Sequence, residues 1–403
     1  MPVNNQVFKN KFPNDSNKTN VQKQDNLEQT EKIIQPNLSF SDPLINEIEI
    51  LLPLLSNKDI SKNLTNAFEL TIYSKKIKNI NLNINRYADL KELKNLLEKK
   101  SFPGKIFIGT LSSDATEIVS NFCDKGIIFF SFTHDKSYAK DCVYLINFFP
   151  EDDLVALFNF FPEDSKVALL YPQNYYGYNI NNIIDLIAAN SKSLIVNRAS
   201  YNEDLTNARE AIKELGKYEL RKQELNRQKE ILKIKQDDLS KIALKKIERF
   251  ETLGNVDFTH IIIPDYSIRL LEIAPLLPFY DVDPNTVQFV GTGVWDDDVF
   301  FDEPSLQGAI FSGIELSKRE VFFNNYQRIY KEKPIRTATI PYDLLSIVSY
   351  LVNKKMSVKQ AVELLNNKTK FDGIDGQFWF VDNSIFRNLD ILKITKGYAK
   401  KLN

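Results

Sequence analysis

The sequence predicts an α/β protein built from two doubly wound lobes, each with a parallel sheet. Its 403 residues are too many for one simple core and favour two domains. Apolar strand-like runs alternate with amphipathic helical segments from Ile48 onward, which is the spacing of βαβ units. The same rhythm begins again at Lys166, so we expect two similar lobes in succession.

The first unit begins with the apolar run from Ile48 to Leu54, and a helix from Leu64 to Ser74 follows it. Period-2 alternation then predicts strands, and leucines recurring on one face predict helices. The remaining predicted elements of this unit are strand 81–87, helix 89–100, strand 105–109, helix 113–125, and strands 126–133 and 142–149.

The second unit repeats this order, and a largely helical segment follows it. Its predicted elements are strand 166–171, helix 178–190, strand 193–198, strand 258–264, helix 267–279 and strand 287–291. The final third carries predicted helices 320–331, 341–353 and 357–366, a glycine-punctuated hairpin 371–381 and a last strand 391–395.

One segment breaks the rhythm, since the 37 residues between Gly216 and Gly254 contain neither Gly nor Pro. Residues 217–249 hold 11 Lys and Arg against 6 Asp and Glu, a local net charge of +5. Apolar side chains recur there at heptad spacing, at Tyr218, Leu225, Leu232 and Leu239. One helix of 37 residues would be about 55 Å long. Two interpretations stay open: a single helix, or a hairpin capped by Asp237-Asp238-x-Ser240. Either form would be a solvated face or a surface that contacts a partner.

Composition excludes several classes of protein. The 52 Lys and Arg against 53 Asp and Glu leave a charge of −1, which argues against a nucleic-acid-binding protein. Two His and two Cys are too few for a multi-ligand zinc cluster, and no run of 18 apolar residues predicts a membrane span. Residues 1–46 are rich in Asn, Gln and Lys, so we predict a disordered N-terminal tail. No apolar export signal is visible in it.

Each motif that resembles an enzymatic or metal-binding site lacks a residue or a structural context that such a site requires. Gly291-Thr-Gly293 lacks the third glycine and the strand-to-helix turn of a dinucleotide site. Asp281-x-Asp283-x-Asn285 resembles the start of a calcium loop, yet Thr286 replaces its required glycine. The acidic cluster around Asp296–Asp298 is better explained as a solvated loop than as a paired-carboxylate site. No nucleophile–base pair emerges, so we expect no enzyme.

The two histidines and the two cysteines lie in different sequence contexts. His260 lies within an apolar strand and is expected to be a core residue. His134 follows its strand at the carboxyl end, where open α/β sheets place ligands. Cys123 ends a predicted helix and Cys142 opens a predicted strand, and the two could form a disulfide in an oxidising compartment.

Several stretches resemble the type 1 periplasmic binding proteins of the leucine-binding kind, over about residues 47–400. The most specific is the ending, Phe371-Asp-Gly373-x-x-Gly376-x-x-x-Phe380-x-x-Asn383, with Pro341-Tyr342-Asp343 in the helix before it. The long helical insertion, the Pro172–Gly177 loop (PQNYYG) and the Gly291–Asp297 strand (GTGVWDD) resemble the penicillin-binding protein activator branch more than transport receptors.

The resemblance implies two lobes joined by three crossovers that close over a cleft, with no catalysis and no cofactor. Serine and threonine hydroxyls at the family's cleft positions grip a carboxylate, and an acidic residue, here Asp265 or Asp296, pairs with an ammonium group. Tyr175 and Tyr176 would either stack on a ligand or pack beside the hinge. The implied cleft residues are Ser112, Ser113, Thr133, His134, Tyr175, Tyr176, Asp265, Thr292 and Trp295.

The resemblance also implies domain boundaries and a function. Lobe one is expected at 47–149 and 317–372, and lobe two at 150–316 and 373–403, including a helical insertion at 203–253. The expected function is a non-enzymatic periplasmic regulator of peptidoglycan synthesis that binds a penicillin-binding protein, with 217–249 as a candidate contact surface. The alternative is the solute receptor of an ABC-type branched-chain amino-acid transport system, with a small amino-acid-like ligand in the cleft. The chemistry of the cleft should distinguish them.

Overall fold

Strands and helices alternate along the part of the chain that the computed structural model describes, residues 42–78, 80–235, 237–266 and 268–402. The strands are β1 Glu47–Pro53, β2 Asn81–Tyr87, β3 Lys105–Gly109, β4 Ile128–Ser131, β5 Val143–Leu145, β6 Lys166–Pro172, β7 Leu194–Tyr201, β8 His260–Ile262, β9 Gln288–Gly291, β10 Ile310–Gly313, β11 Phe371–Gly373, β12 Gly376–Val381, β13 Ser384–Arg387, β14 Asp390–Thr395 and β15 Tyr398–Lys401. The α-helices are α1 Lys58–Ser74, α2 Leu90–Lys100, α3 Ser113–Ser120, α4 Pro150–Phe160, α5 Tyr175–Asn190, α6 Ala208–Leu215, α7 Tyr218–Lys235, α8 Asp238–Ile247, α9 Arg269–Ile273, α10 Leu276–Phe279, α11 Glu320–Tyr330, α12 Ile340–Asn353 and α13 Val358–Asn366.

Two sheets organise the molecule, one in each lobe. The first has the strand order β11-β12-β13-β5-β4-β3-β1-β2, and the second has the order β15-β14-β10-β9-β8-β6-β7. The central strands of both sheets are parallel, whereas β11–β13 and β14–β15 add antiparallel pairs at one edge. Both sheets are therefore mixed, where the sequence predicted parallel ones.

The central strands are apolar because helices cover both of their faces. In β4 every residue is buried, and six of the seven residues of β1 are buried. Leucines on one face of α2 show the helical counterpart of this pattern, since Leu93 and Leu97 enter the core of the first lobe. Asp89 caps α2 by accepting the Glu92 N–H at 2.8 Å.

The predicted boundary at residue 373 is wrong for the strands that follow it. β12 and β13 belong to the first sheet, where Ser384 pairs with Leu145 of β5. Their inward side chains, Phe378 and Phe380, are buried in the core of lobe one. The chain enters lobe two only at β14, which pairs antiparallel with β10.

The last five residues of the predicted tail are ordered. Residues 1–41 lie outside the described residues, but the segment from 42 to 46 packs on lobe one. Ile45 is buried and its N–H donates to the Met356 carbonyl at 2.9 Å, while Leu44 forms an isolated bridge with Ser357. The burial of Ile45 anchors the chain immediately before β1.

The insertion forms a helical hairpin, which decides between the two forms that the sequence left open. α7 and α8 pack on each other, and Asp237 caps α8 by accepting the Ser240 N–H at 2.9 Å. Leu225 of the predicted heptad seam is buried, whereas Leu239 is exposed. Within the described residues, no helix has both the length and the apolar character needed to cross a bilayer.

Candidate functional site

Three chain segments cross between the lobes, and a cleft lies beside them. The first crossover joins β5 to α4, the second joins β10 to α11, and the third joins β13 to β14. A cavity of about 400 Å³ opens here, and both lobes line it. Its walls are His134, Asn147, Phe148, Pro150, Asp153, Tyr175, Tyr176, Asn179, Tyr266, Gly293, Val294, Asp296, Asp297, Gly313, Arg336, Thr337 and Leu389.

Aromatic rings form much of the wall. Lobe two contributes Tyr175 and Tyr176 from the start of α5, together with Tyr266, whose ring meets that of Tyr176 edge-on at 6.1 Å. Lobe one contributes Phe148, which carries the guanidinium of Arg336 over its ring at 3.7 Å. Tyr175 is 76% exposed, so its ring is free to contact a ligand.

The turn before α5 places these tyrosines. Asn174 caps the helix by accepting the Gly177 N–H at 3.0 Å. A Cβ atom at Gly177 would lie 2.1 Å from the Pro172 carbonyl oxygen, so a side chain there cannot be accommodated. The close approach of helix and strand directs Tyr175 and Tyr176 toward the cleft.

A buried carboxyl group lies at the floor of the cleft. Asp153 accepts a hydrogen bond from the Ser312 hydroxyl at 2.8 Å, and the backbone N–H of Gly293 donates to it as well. Burial raises the pKa of Asp153 to about 7. A Cβ at Gly293 would meet the Asp153 Oδ1 atom at 2.8 Å, so this glycine leaves room for the carboxyl group.

Four buried charges and the half-buried Arg336 lie at the crossovers. We call Asp152, Arg319, Arg336, Asp375 and Arg387 the hinge cluster. Arg387 donates to the Asn147 carbonyl at 2.6 Å, and its own N–H donates to Asp152 at 3.3 Å. Arg336 donates to Asp375 at 2.9 Å.

The arginines of the hinge cluster keep one carboxylate ionised. Burial alone would raise the pKa of Asp375, but Arg336 and Arg319 outweigh it and lower that pKa. Arg319 also donates to Asp296 at 2.5 Å, so a carboxylate of the cleft wall is paired within the protein. The cleft thus offers few unpaired ionic groups to a ligand.

Three of the nine predicted cleft residues, His134, Tyr175 and Tyr176, line the cavity. Thr292 lies behind the wall, where its hydroxyl meets the Tyr176 hydroxyl at 2.9 Å. Trp295 is fully buried, and its indole N–H donates to the Ile263 carbonyl at 3.0 Å. Trp295 is therefore a core residue of lobe two rather than part of the wall.

The remaining predicted positions lie outside the cavity lining. Asp265 is fully buried and accepts hydrogen bonds from Tyr201 at 2.7 Å and Arg269 at 3.1 Å. Its carboxylate is thus already engaged within lobe two and does not reach the cleft as a counter-charge.

The predicted hydroxyl donors of lobe one also satisfy local partners. Ser112 caps α3, and the Ser113 hydroxyl contacts that of Thr133 at 3.3 Å. None of the three belongs to the cavity lining.

Sequence reasoning missed several residues of the wall, including Phe148, Asp153, Tyr266 and Arg336. Arg336 lies in a short 3₁₀ turn before α12, far along the chain from the strands that define the cleft. Asp153 lies in an acidic first turn of α4, where an exposed side chain would be the ordinary expectation. No local pattern marks either one.

Cys123 and Cys142 form a disulfide with a Cα–Cα separation of 5.2 Å. Cys142 precedes the first residue of β5, so the bond lies at the amino end of that strand, away from the cleft. Within the described residues, no group of three or more His, Cys, Asp and Glu could hold a metal ion. His260 is buried, with its pKa lowered to about 4 by that burial.

Comparison with known proteins gives matches at the level of structure. No family profile and no curated protein matches the sequence. A candidate branched-chain amino acid ABC transporter from Rhodospirillum rubrum aligns with a TM-score of 0.67 and 14% identity, over 89% of this chain and 100% of the other. A solute-binding protein of an ABC transporter from Rhodopseudomonas palustris, in complex with 3,4-dihydroxybenzoic acid, aligns with a TM-score of 0.58 and 12% identity. This alignment covers 88% of this chain and 95% of the other.

Full-length LpoA from Haemophilus influenzae is also similar, with a TM-score of 0.58 and 11% identity. The alignment covers 91% of this chain and 60% of that one. Two mixed sheets with flanking helices, three crossovers and a cleft beside them agree with these neighbours. The chain therefore has the two-lobe fold of the type 1 periplasmic binding proteins.

Proposed function

We propose that this chain is a non-enzymatic periplasmic protein that regulates peptidoglycan synthesis by binding a penicillin-binding protein through the α7–α8 hairpin. The observation that carries the proposal is the hairpin tip, which consists of Ile234, Leu239 and Ile242. These side chains are 78%, 80% and 68% exposed, although each is a residue type that usually enters a core. A cluster of exposed branched side chains is typical of a protein-binding surface.

The charge around the tip favours an acidic partner. Residues 217–249 carry a net charge of +5 in a chain whose total is −1. Lys233 and Lys241 are paired with Glu230 and Asp238, at 2.8 and 3.1 Å. The exposed Lys235, Lys245 and Lys246 have no such ion pair within the described part of the chain. Apolar contact would supply affinity, and these lysines would supply orientation.

The base of the hairpin is anchored firmly to lobe two, as a docking element requires. The Arg221 guanidinium donates to the Thr252 hydroxyl at 2.8 Å and to the Gly216 carbonyl at 2.9 Å. Tyr218 is buried against Tyr280, with ring centroids 5.4 Å apart. A rigid base lowers the entropy lost on binding.

The chemistry of the cleft also favours a regulatory protein over an amino-acid receptor. Its ionic groups are largely satisfied within the protein, since Asp153 is bonded to Ser312 and Asp296 to Arg319. A receptor for a zwitterionic amino acid needs such groups free to meet the ligand. LpoA, the penicillin-binding protein activator, is among the structural neighbours and adds to the support for a regulatory role.

The disulfide and the fold are the support for a periplasmic location. Disulfides persist in oxidising compartments such as the periplasm, and Cys123–Cys142 is the pair present here. Detection of this bond in protein extracted under alkylating conditions would test the location.

The decisive experiment replaces the tip. Ile234→Ser/Leu239→Ser/Ile242→Ser should reduce affinity for the cognate penicillin-binding protein at least tenfold in biolayer interferometry, with no loss of melting temperature. Leu186→Ser/Leu194→Ser is the matched control, because those leucines are 73% and 59% exposed elsewhere on lobe two. Full binding by the tip variant would overturn the proposal.

A second candidate function, solute reception, is favoured by one observation: the 400 Å³ cavity with tyrosine and phenylalanine walls. Rings of this kind suit a small aromatic acid, and one neighbour is in complex with 3,4-dihydroxybenzoic acid. A thermal-shift screen of amino acids and hydroxybenzoates separates the two functions. A rise of several degrees with one compound, with partner binding absent, would favour the receptor.

A further inference from the structure

A second cavity, of about 540 Å³, lies on lobe one outside the cleft. It opens between the end of α1 and the side of α12, and it shares no residue with the cleft wall. Its lining, which we call the lysine groove, is Lys75, Lys76, Ile77, Lys78, Ser346, Ser349 and Asn353.

The lining of the groove contains three lysines and no carboxylate. Its Ser346 hydroxyl is engaged within the protein, since it donates to the Tyr342 carbonyl at 2.7 Å and accepts from Lys75. Within residues 42–78, 80–235, 237–266 and 268–402, no ion pair engages Lys75, Lys76 or Lys78. Three lysines without an ion pair that line one groove create a local positive field, which attracts anions.

Lys75 is the central residue of the groove because it is held in place from two sides. Its ammonium group lies 3.7 Å from the centroid of the Tyr342 ring and donates to the Ser346 hydroxyl. Burial lowers the pKa of Lys75, and the neighbouring Asp343 offsets this in part. Asp343 itself is buried, and the Ile374 N–H donates to it at 2.8 Å. The positive charge is thus fixed at the groove without an exposed counter-charge.

A smaller adjoining cavity of about 310 Å³ also contains Lys75 and extends the groove toward α11. Ser74, Lys318 and Asn325 line it as well, and Lys318 also forms an ion pair with Asp390 at 4.0 Å. The ligand that suits the combined space carries negative charge at more than one point, because lysines line both cavities.

We propose that the lysine groove binds a small soluble polyanion with two or more phosphate or carboxylate groups. The proposal is independent of the partner surface on α7–α8 and of the cleft, since no residue is common to them. Lysines bind such groups as point charges, so affinity should fall steeply as ionic strength rises.

The test is isothermal titration calorimetry of the full chain with inorganic tripolyphosphate and with citrate at low ionic strength. We expect saturable binding of at least one probe with one site per chain. Lys76→Gln/Lys78→Gln should weaken it at least tenfold, and Lys75→Gln should do so as well. Because Lys76 and Lys78 are exposed, their double variant should keep the melting temperature.

Lys359→Gln/Lys91→Gln is the matched control, since both lysines are exposed and lie outside the groove. If neither probe binds, the proposal is overturned. It is also overturned if the groove variant and the control bind the probes equally well. Phosphatidylglycerol vesicles form a further arm. If the protein co-sediments with vesicles in a way that depends on Lys76 and Lys78, and neither free probe binds, the anion recognised is a lipid headgroup. That result would overturn the proposal of a soluble ligand.

Discussion

The guanidinium of Arg387 donates a hydrogen bond to the backbone carbonyl of Asn147 at 2.6 Å, which joins the third crossover to the first. Both residues are buried, and the ring of Phe148 lies 4.5 Å from the guanidinium carbon of Arg387. A buried charge therefore links two of the three segments that connect the lobes.

Arg387→Met should destabilise the protein by about 3–5 kcal/mol, because it removes one member of a buried charge cluster and leaves its carboxylates less compensated. Guanidinium chloride denaturation measures the change. Arg328→Met, at an exposed arginine bonded to Asn325, should cost less than about 1 kcal/mol. Equal losses in the two variants would contradict the role assigned to the hinge cluster.

The stability of the Asp153→Asn variant relative to the wild type should increase as pH rises. Burial raises the folded-state pKa of Asp153 to about 7, against about 4 in an unfolded chain. The stability that this carboxyl contributes is present below pH 4 and is lost as pH rises through 7, whereas an amide does not titrate. Relative to the wild type, the variant should gain about 2 kcal/mol between pH 5 and pH 8.

The comparison with the wild type is needed because His260 acts in the opposite direction. Its pKa is lowered to about 4, so its contribution to stability grows as pH rises from 4 to about 6.5. Asp164→Asn, at an exposed position, is the control variant for the same measurement. A flat difference between the Asp153 variant and the wild type would show that Asp153 is ionised in the folded state at pH 5.

Removal of the disulfide by Cys123→Ser/Cys142→Ser should cost about 3 kcal/mol, because the bond closes a loop with a sequence separation of 19 residues. Urea denaturation in the presence and absence of a reductant measures it. The reductant should lower the stability of the wild type only; an equal effect on the double variant would assign the loss to another cause.

Tyr175→Ala should leave the melting temperature unchanged but abolish any stabilisation that a cleft ligand gives in the thermal-shift screen. The ring is 76% exposed, so it contributes little to folding, yet it lines the cavity. Tyr398→Ala is the control, with a tyrosine that is 54% exposed and lies on β15. Ligand stabilisation that survives in the Tyr175 variant would exclude a stacking role for this ring.

The elements that depend on local pattern were predictable from sequence. The buried strands β1 and β4 are apolar runs, and the helices α2 and α13 have caps and one apolar face. The hairpin was recognisable because Asp237 stands where a cap would start a second helix. These features depend on residues within a few positions of each other.

The features that depend on distant pairing were not predictable. β12 alternates buried and half-buried residues, a pattern that fits the edge of either sheet equally well. Only its neighbour β13, paired with β5 more than two hundred residues earlier, decides which sheet β12 joins. Likewise Arg336 and Asp375 meet across 39 residues, and no local motif announces that contact.

The late strands have a consequence for biosynthesis. β12 and β13 extend the sheet of lobe one, and β14 and β15 extend that of lobe two, so both sheets remain incomplete until residues 376–401 have been synthesised. Until then β10 presents an open edge where β14 will pair, and β5 presents one where β13 will pair. A nascent chain therefore completes the sheet of lobe one only at β13 and that of lobe two only at β15, so neither sheet is complete during most of its elongation.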